Sequence, residues 1–174
     1  MLSIEKCALP ANTLLATYLK NGAYADCYST EVPGQVSLSE FIHAFYTTSL
    51  FKLERSILAW AVSKPSTDEQ ARQLANGIST TFAAWQVENR TEHELLMCDL
   101  SDRTRSWFML IPVNGIRDHR TRLYFGSAVV PLQDPKSRKS SLGFVFQALL
   151  GVHRIYSILL LYSAGSNIAR RKGV

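Results

Sequence analysis

Among the ionisable residues of this sequence, Glu54 occupies the most informative place. Projecting LFKLERSILAWAV as a helix, at about 100° per residue, sets Leu50, Leu53, Ile57, Leu58, Ala61 and Val62 on one broad arc, and Glu54 falls inside it. A carboxylate placed there is partly desolvated, so it must neutralise, find a cation or face a wet cavity. An ion pair with an arginine such as Arg55 or Arg154 is the structural outcome. A pocket-facing acid able to move protons is the functional one, and a slip in helical phase that exposes the carboxylate is the third.

The four histidines, His43, His93, His119 and His153, share neither the i, i+2 nor the i, i+4 spacing of a local metal site, so no metal is expected. His153 lies on an apolar C-terminal segment, where a hydrogen-bonded core histidine and a proton-transfer group both fit the pattern. His43 projects to the polar side of its helix, and His119 reads as loop surface. There is no GxSxG, and FGSAV lacks the second glycine and the strand-to-helix turn of a nucleophile elbow. Phosphate-binding glycine loops are also missing, so nothing calls for a cofactor and a conventional hydrolase or nucleotide enzyme is disfavoured. Cys7, Cys27 and Cys98 are odd in number and lack CxxC spacing, which reads as reduced thiols in a cytoplasmic protein.

The aromatic residues complete the candidate set. Trp85 shares strand parity with Ala83 and Val87, Trp107 shares it with Met109 and Ile111, and Tyr124 alternates with Phe125. Ordinary core and the wall of an apolar cavity are equally compatible with that alternation. Glu54, Trp85, Trp107, Met109, Tyr124, His153 and Tyr156 are therefore the candidate ligand-binding residues.

The elements that must position them follow from local signals. ANTLLATYLKNG reads as a short helix capped by Asn12 and stopped at Gly22, and ADCYSTEV as a strand ending at Pro33-Gly34. In VSLSEF, Ser37 and Glu40 can exchange capping hydrogen bonds while Val36 and Phe41 form a hydrophobic staple. TDEQ at Thr67 repeats the capping logic after a second helix, LFKLERSILAWAV, that Lys64-Pro65 stops. From Ile78 to Pro131, Thr, Val, Trp, Phe and Tyr replace the helix formers. Four strands are predicted as an antiparallel meander: TTFAAWQVE, HELLMCDL, RSWFMLIPV and TRLYFGSAVV, the last two joined by a loop opening with Asn114-Gly115. The linker-like PLQDPKSRKSS then leads into a long apolar helix from about Leu142 to Ser163.

Gln147, His153 and Arg154 interrupt that helix, and a charge at a bilayer centre costs about 2.5 to 3.5 kcal/mol, so a transmembrane span is not expected. Helical spacing assigns Leu149, Val152, Tyr156, Leu159 and Leu160 to the sheet, with Leu150, Ile158 and Leu161 on the opposite side. An exposed stripe of three aliphatic residues calls for a cover, either another helix or a second subunit in a homodimer.

At 174 residues the chain is expected to form one domain, with residues 1–22 as a helical extension and 166–174 as a basic tail. The net charge of +5 sits largely in predicted loops and the tail, without a helix-turn-helix, RNP or zinc-finger pattern, so specific nucleic-acid binding is not expected. MLSIEKCALP has Glu5 and Pro10 where a signal peptide would be apolar.

Strand, paired helices, antiparallel meander and long closing helix form the α+β helix-grip arrangement, in which the sheet wraps the C-terminal helix. The order resembles the START and polyketide-cyclase-like (SRPBCC) superfamily. ADCYSTEVPGQVSLSEFIHAFYTTSLFKLERSILAW, LYFGSAVVP and GVHRIYSILLLYSA also resemble an uncharacterised bacterial family of that superfamily, over about Ala25 to Ala164. The resemblance implies a cavity between sheet and closing helix for a small hydrophobic or lipid-like ligand. A cyclase- or isomerase-like enzyme using Glu54 or His153, and a dimerising interaction protein without a ligand, are the alternatives.

Overall fold

The computed structural model describes residues 2–62, 65–114, 119–130 and 144–173, with the backbone alone at 57–59, 61–62, 114 and 144–152. The elements run β1 (Glu5–Lys6), α1 (Ala16–Lys20), β2 (Tyr24–Pro33), α2 (Leu38–Tyr46), α3 (Ser49–Val62), α4 (Asp68–Ala75), β3 (Thr81–Phe82), β4 (Trp85–Arg90), β5 (Glu94–Asp99), β6 (Thr104–Asn114), β7 (His119–Val129) and α5 (Phe144–Arg171). All strand pairs are antiparallel, in the order β1-β2-β7-β6-β5-β4-β3. This is the expected α+β architecture, with the α2–α3 pair after the first long strand and α5 packed on the sheet. Both edge strands are only two residues long, which leaves little free edge for another chain to pair with.

The helix starts follow the capping chemistry read from the sequence. The Glu40 amide donates to Ser37 Oγ at 3.1 Å and the Ser37 amide to Glu40 Oε2 at 2.8 Å. Thr67 and Gln70 repeat the exchange at α4. Three expectations are corrected. TTFAAWQVE is not one strand but two, because Ala83 has φ +52° and the chain turns back to pair Phe82 with Trp85. Asn12 caps nothing: its φ is +63°, and the short α1 begins four residues later at Ala16. Residues 166–171 are not a tail but the last turns of α5, beyond which Lys172 reaches Glu40 at 3.0 Å. Gly115 and the PLQDPKSRKSS connection lie outside the described residues.

Both faces of the sheet are covered. On one side Phe41, Phe45 and Tyr46 of α2 pack on Phe108 and Phe125, with Leu160, Leu161, Ala164 and Ile168 of α5 alongside. The centre of this interface therefore belongs to α2, while α5 lies chiefly over β2 and α2. Gly165 permits its approach, since a Cβ there would sit 3.2 Å from Leu2 and 3.4 Å from Thr30. On the other side, Leu9, Leu14, Leu15 and Tyr18 of the N-terminal segment cover Trp107, Met109 and Tyr124.

The phase assigned to the closing helix needs correction. Leu160 is buried as expected, but Leu161, assigned to the outer side, is fully buried, and Ile158 packs partly against the same core. Leu159, assigned to the sheet, is 47% exposed and shares the open side with Ile155 and Tyr162. A helix that is apolar all round carries no periodic signal strong enough to choose its buried stripe. Gln147, Leu149, Leu150 and Val152 fall among the side chains not described.

Candidate functional site: a buried polar cluster between β2, β7 and α5

Strand alternation places Tyr24, Asp26 and Tyr28 on the helix-facing side of β2 and sends Cys27 to the other. The β2–β7 register sets Asp26 opposite Ser127, two residues beyond Phe125 on the same face. Both are buried, at 5% and 2% exposure. From α5, His153 Nε2 reaches Ser127 Oγ at 2.7 Å, while Ser127 Oγ donates to Asp26 Oδ1 at 2.7 Å. Because the single hydroxyl proton is directed at Asp26, His153 must donate through Nε2–H, as the neutral Nε2 tautomer or as imidazolium. Asp26 Oδ2 is buried and accepts no hydrogen bond from the described residues. Behind the cluster, buried Ser157 donates to the His153 carbonyl at 3.0 Å, one helical turn away.

Arg154 lies at the edge of the cluster and donates to Tyr24 Oη from Nε at 3.2 Å and from Nη2 at 3.1 Å. That bond raises the Arg154 pKa, with a smaller contribution from Asp26. Burial, followed by the negative charge of Asp26, pushes the Tyr28 hydroxyl up to about 12.

Three residues after His153, the Tyr156 hydroxyl donates to Glu54 Oε2. Burial raises the Glu54 carboxyl above the usual carboxylate range, and the Tyr156 hydrogen bond opposes this only in part. Burial and the Glu54 carboxyl in turn raise the Tyr156 hydroxyl. The expected ion pair is corrected: Arg55 bonds Asp68 at 2.8 Å and Arg154 turns to Tyr24, so neither meets Glu54. The partner is a neutral phenol supplied by α5, to which α3 packs.

The seven residues singled out from the sequence do not converge. Glu54, His153 and Tyr156 stand on the helix side, and Trp85 packs against the far edge of that core beside the β3–β4 turn. Trp107, Met109 and Tyr124 line the opposite face of the sheet, so they cannot share a sheet–helix cavity with the others. Parity misled here because β6 is buried on both sides: Trp107 and Met109 face one way, Phe108 and Leu110 the other, and all four are buried. Asp26 and Ser127 were missed. The available signal was an acid at the same strand parity as Tyr24 and Tyr28 in YADCYSTEV, and a serine in FGSAV whose hydroxyl needed a partner once buried.

Aspartate, serine and histidine are all present, but in the wrong order for a nucleophile triad, in which the imidazole stands between hydroxyl and carboxylate. Here the serine is in the middle, and the carboxylate holds the proton that a nucleophile would have to lose. The arrangement is instead a serine-bridged acid–imidazole chain ending in a carboxylate oxygen that no described residue engages. Open grooves of about 320, 520 and 450 Å³ occur elsewhere on the surface, and their walls include neither Asp26 nor Glu54. Among the described residues no His, Cys, Asp and Glu side chains group as a metal site requires, and no helix is long and apolar enough to cross a membrane. Comparison of the chain with protein-family models, with curated proteins and with solved structures returns no match.

Proposed function

We propose that the chain is a helix-grip binding module of the START and polyketide-cyclase-like kind, and that it holds a small amphipathic molecule at the polar end of the sheet–α5 interface. The observation that carries this reading is Asp26 Oδ2, a buried carboxylate oxygen without a hydrogen bond from the described residues, whose twin oxygen is engaged by Ser127. An unsatisfied buried acceptor costs about 1 to 3 kcal/mol, and a hydroxyl, amine or amide of a ligand that donates to Oδ2 would recover it. A wholly hydrocarbon ligand at the centre fits less well. Phe45 stands 4.8 Å from Phe108 and 4.7 Å from Phe125, centroid to centroid, and these rings occupy that space. A cytoplasmic location is part of the same proposal.

Proton-transfer catalysis of the cyclase or isomerase type is the second reading, favoured by the chain itself. A proton leaving His153 Nε2 for Ser127 Oγ is matched by the serine proton passing to Asp26 Oδ1, so charge crosses the cluster without a side chain moving.

Native mass spectrometry of protein from its own host tests the binding reading. A copurifying small molecule is expected in the wild type and in Glu54→Gln, with occupancy reduced about tenfold or more in Asp26→Asn, which presents an amide donor where an acceptor is needed. Absence of any bound molecule, or equal occupancy in Asp26→Asn, overturns it. Turnover of the recovered molecule by the wild type would favour the second reading.

A further inference from the structure

We propose that Cys7 and Cys27 form a reversible thiol–disulfide pair, an oxidative modification site that ties the N-terminal segment to β2. This proposal rests on geometry alone and is independent of the proposed ligand. Glu5 lies opposite Ser29 and Lys6 opposite Tyr28. At the next position of that register the Cys7 amide donates to the Cys27 carbonyl at 3.0 Å. The two sulfurs are 3.2 Å apart and both thiols are free. A disulfide length of about 2.05 Å is thus reached by a sulfur movement of roughly 1 Å.

The two thiols differ in access. Cys27 is buried at 2% exposure, whereas Cys7 is half-buried and can meet a small solute. Burial, the adjoining Cys7 sulfur and the charge of Asp26 all hold the Cys27 thiol well above its ordinary range. Cys7 is therefore the sulfur that reacts first and Cys27 the one that resolves.

With hydrogen peroxide as oxidant, the Cys7 sulfur attacks one oxygen and the O–O bond breaks. The departing hydroxide takes the Cys7 proton as water, leaving a sulfenic acid. The Cys27 sulfur then attacks the Cys7 sulfur and the S–O bond breaks, its hydroxide leaving with the Cys27 proton as a second water. Two thiols lose two electrons and two protons in all, and one peroxide becomes two waters. The bridge closes a loop containing Leu14, Leu15 and Tyr18, the residues that cover the outer face of the sheet. It also fixes β2 beside Asp26. A reducing thiol pool reverses it, as a redox-sensing pair in the cytosol requires.

The test treats the full-length reduced protein with equimolar peroxide, alkylates the remaining thiols and maps the products by mass. The expected product is two hydrogens lighter, bridged between Cys7 and Cys27, alkylated only at Cys98, and restored by dithiothreitol. Protease cleavage between residues 8 and 22 should slow by about tenfold or more in the oxidised form. Cys27→Ser should stop at a Cys7 sulfenic acid that a 1,3-dione probe captures, and Cys7→Ser should react at least about tenfold more slowly. Three alkylated thiols in treated wild type, a bridge through Cys98, or wild type accumulating Cys7 sulfinic acid would each overturn the proposal, and none of these readings depends on a variant folding.

Discussion

On the outer face of the sheet, Glu94 Oε2 accepts from the Leu14 amide at 2.9 Å and from Trp107 Nε1 at 2.7 Å. Nearby, Arg105 donates to Glu88 at 2.7 Å and to Asp102 at 2.5 Å, and its guanidinium lies 4.7 Å from the centre of the Tyr18 ring. On the helix face, among the described residues, Asp26 keeps one buried oxygen without a partner, and Glu54 meets a phenol against its desolvation. The outer carboxylates fasten the N-terminal segment and the strand ends to the sheet, and each is matched with donors. Of the inner ones, Asp26 is left one donor short among the described residues, which folding alone would not favour. Burial of a charged group is common to both faces; what sets the inner one apart is a buried carboxylate oxygen with no donor among the described residues.

The largest effect that separates the faces is expected at Trp107. Trp107→Ala should cost about 3 to 5 kcal/mol in chemical denaturation, because a fully buried indole is lost and Glu94 loses a donor. A loss under about 1 kcal/mol would mean that the outer layer is not a true core.

Next comes a matched pair. Glu94→Ala strands the Leu14 amide and the indole N–H and should cost about 2 kcal/mol, while Asp26→Asn keeps the acceptor for Ser127 and should change stability by no more than about 1 kcal/mol. Equal losses in the two variants, measured under one set of conditions, would erase the distinction between fastening and site.

Glu54→Gln sharpens the comparison through pH. The folded-state carboxyl pKa of Glu54 is raised, so its stabilising contribution is complete below the ordinary carboxylate range and is lost as pH rises through the raised value. The glutamine variant should therefore match wild type at acid pH and exceed it by about 1 kcal/mol near neutrality. A difference that does not vary with pH would show that the Glu54 carboxyl titrates alike in the folded and unfolded chain, so that burial does not raise it.

The smallest effect is expected on the open side of α5. Replacing Ile155 and Leu159, which are 62% and 47% exposed, with serine should alter monomer stability by about 0.5 kcal/mol at most. A larger loss accompanied by a lower mass in sedimentation would show that a second subunit covers this stripe, as the sequence had suggested for a different one.

Local chemistry was legible in the residues themselves. The Ser37–Glu40 and Thr67–Gln70 boxes formed as read, because a capping box needs only side chains and amides three residues apart. The antiparallel order of the late strands likewise followed from short connections between residues of high strand propensity. The inward turn of Glu54 came through in helical spacing, though the arc did not hold as a buried face: Leu53 is 60% exposed, and the side chains of Ile57, Leu58, Ala61 and Val62 are not described. The partner of Glu54 did not: Tyr156 is 102 residues away, and which helix supplies a donor depends on how α3 and α5 pack.

Choices between equivalent faces required the folded chain. Trp107 and Phe108 are both apolar and both buried, so alternation could say that they point apart but not which one meets the helices. The buried stripe of α5 was ambiguous for the same reason, as an all-round apolar helix offers several. Asp26, Ser127 and His153 meet only because β2 pairs with β7 across 101 residues and α5 crosses both strands. Cys7 and Cys27 meet only because a two-residue strand returns along β2. Short-range spacing determines caps, turns and periodicity through bonded geometry, whereas contacts between distant residues are decided by which apolar surfaces exclude water together, and that choice is made by the whole chain at once.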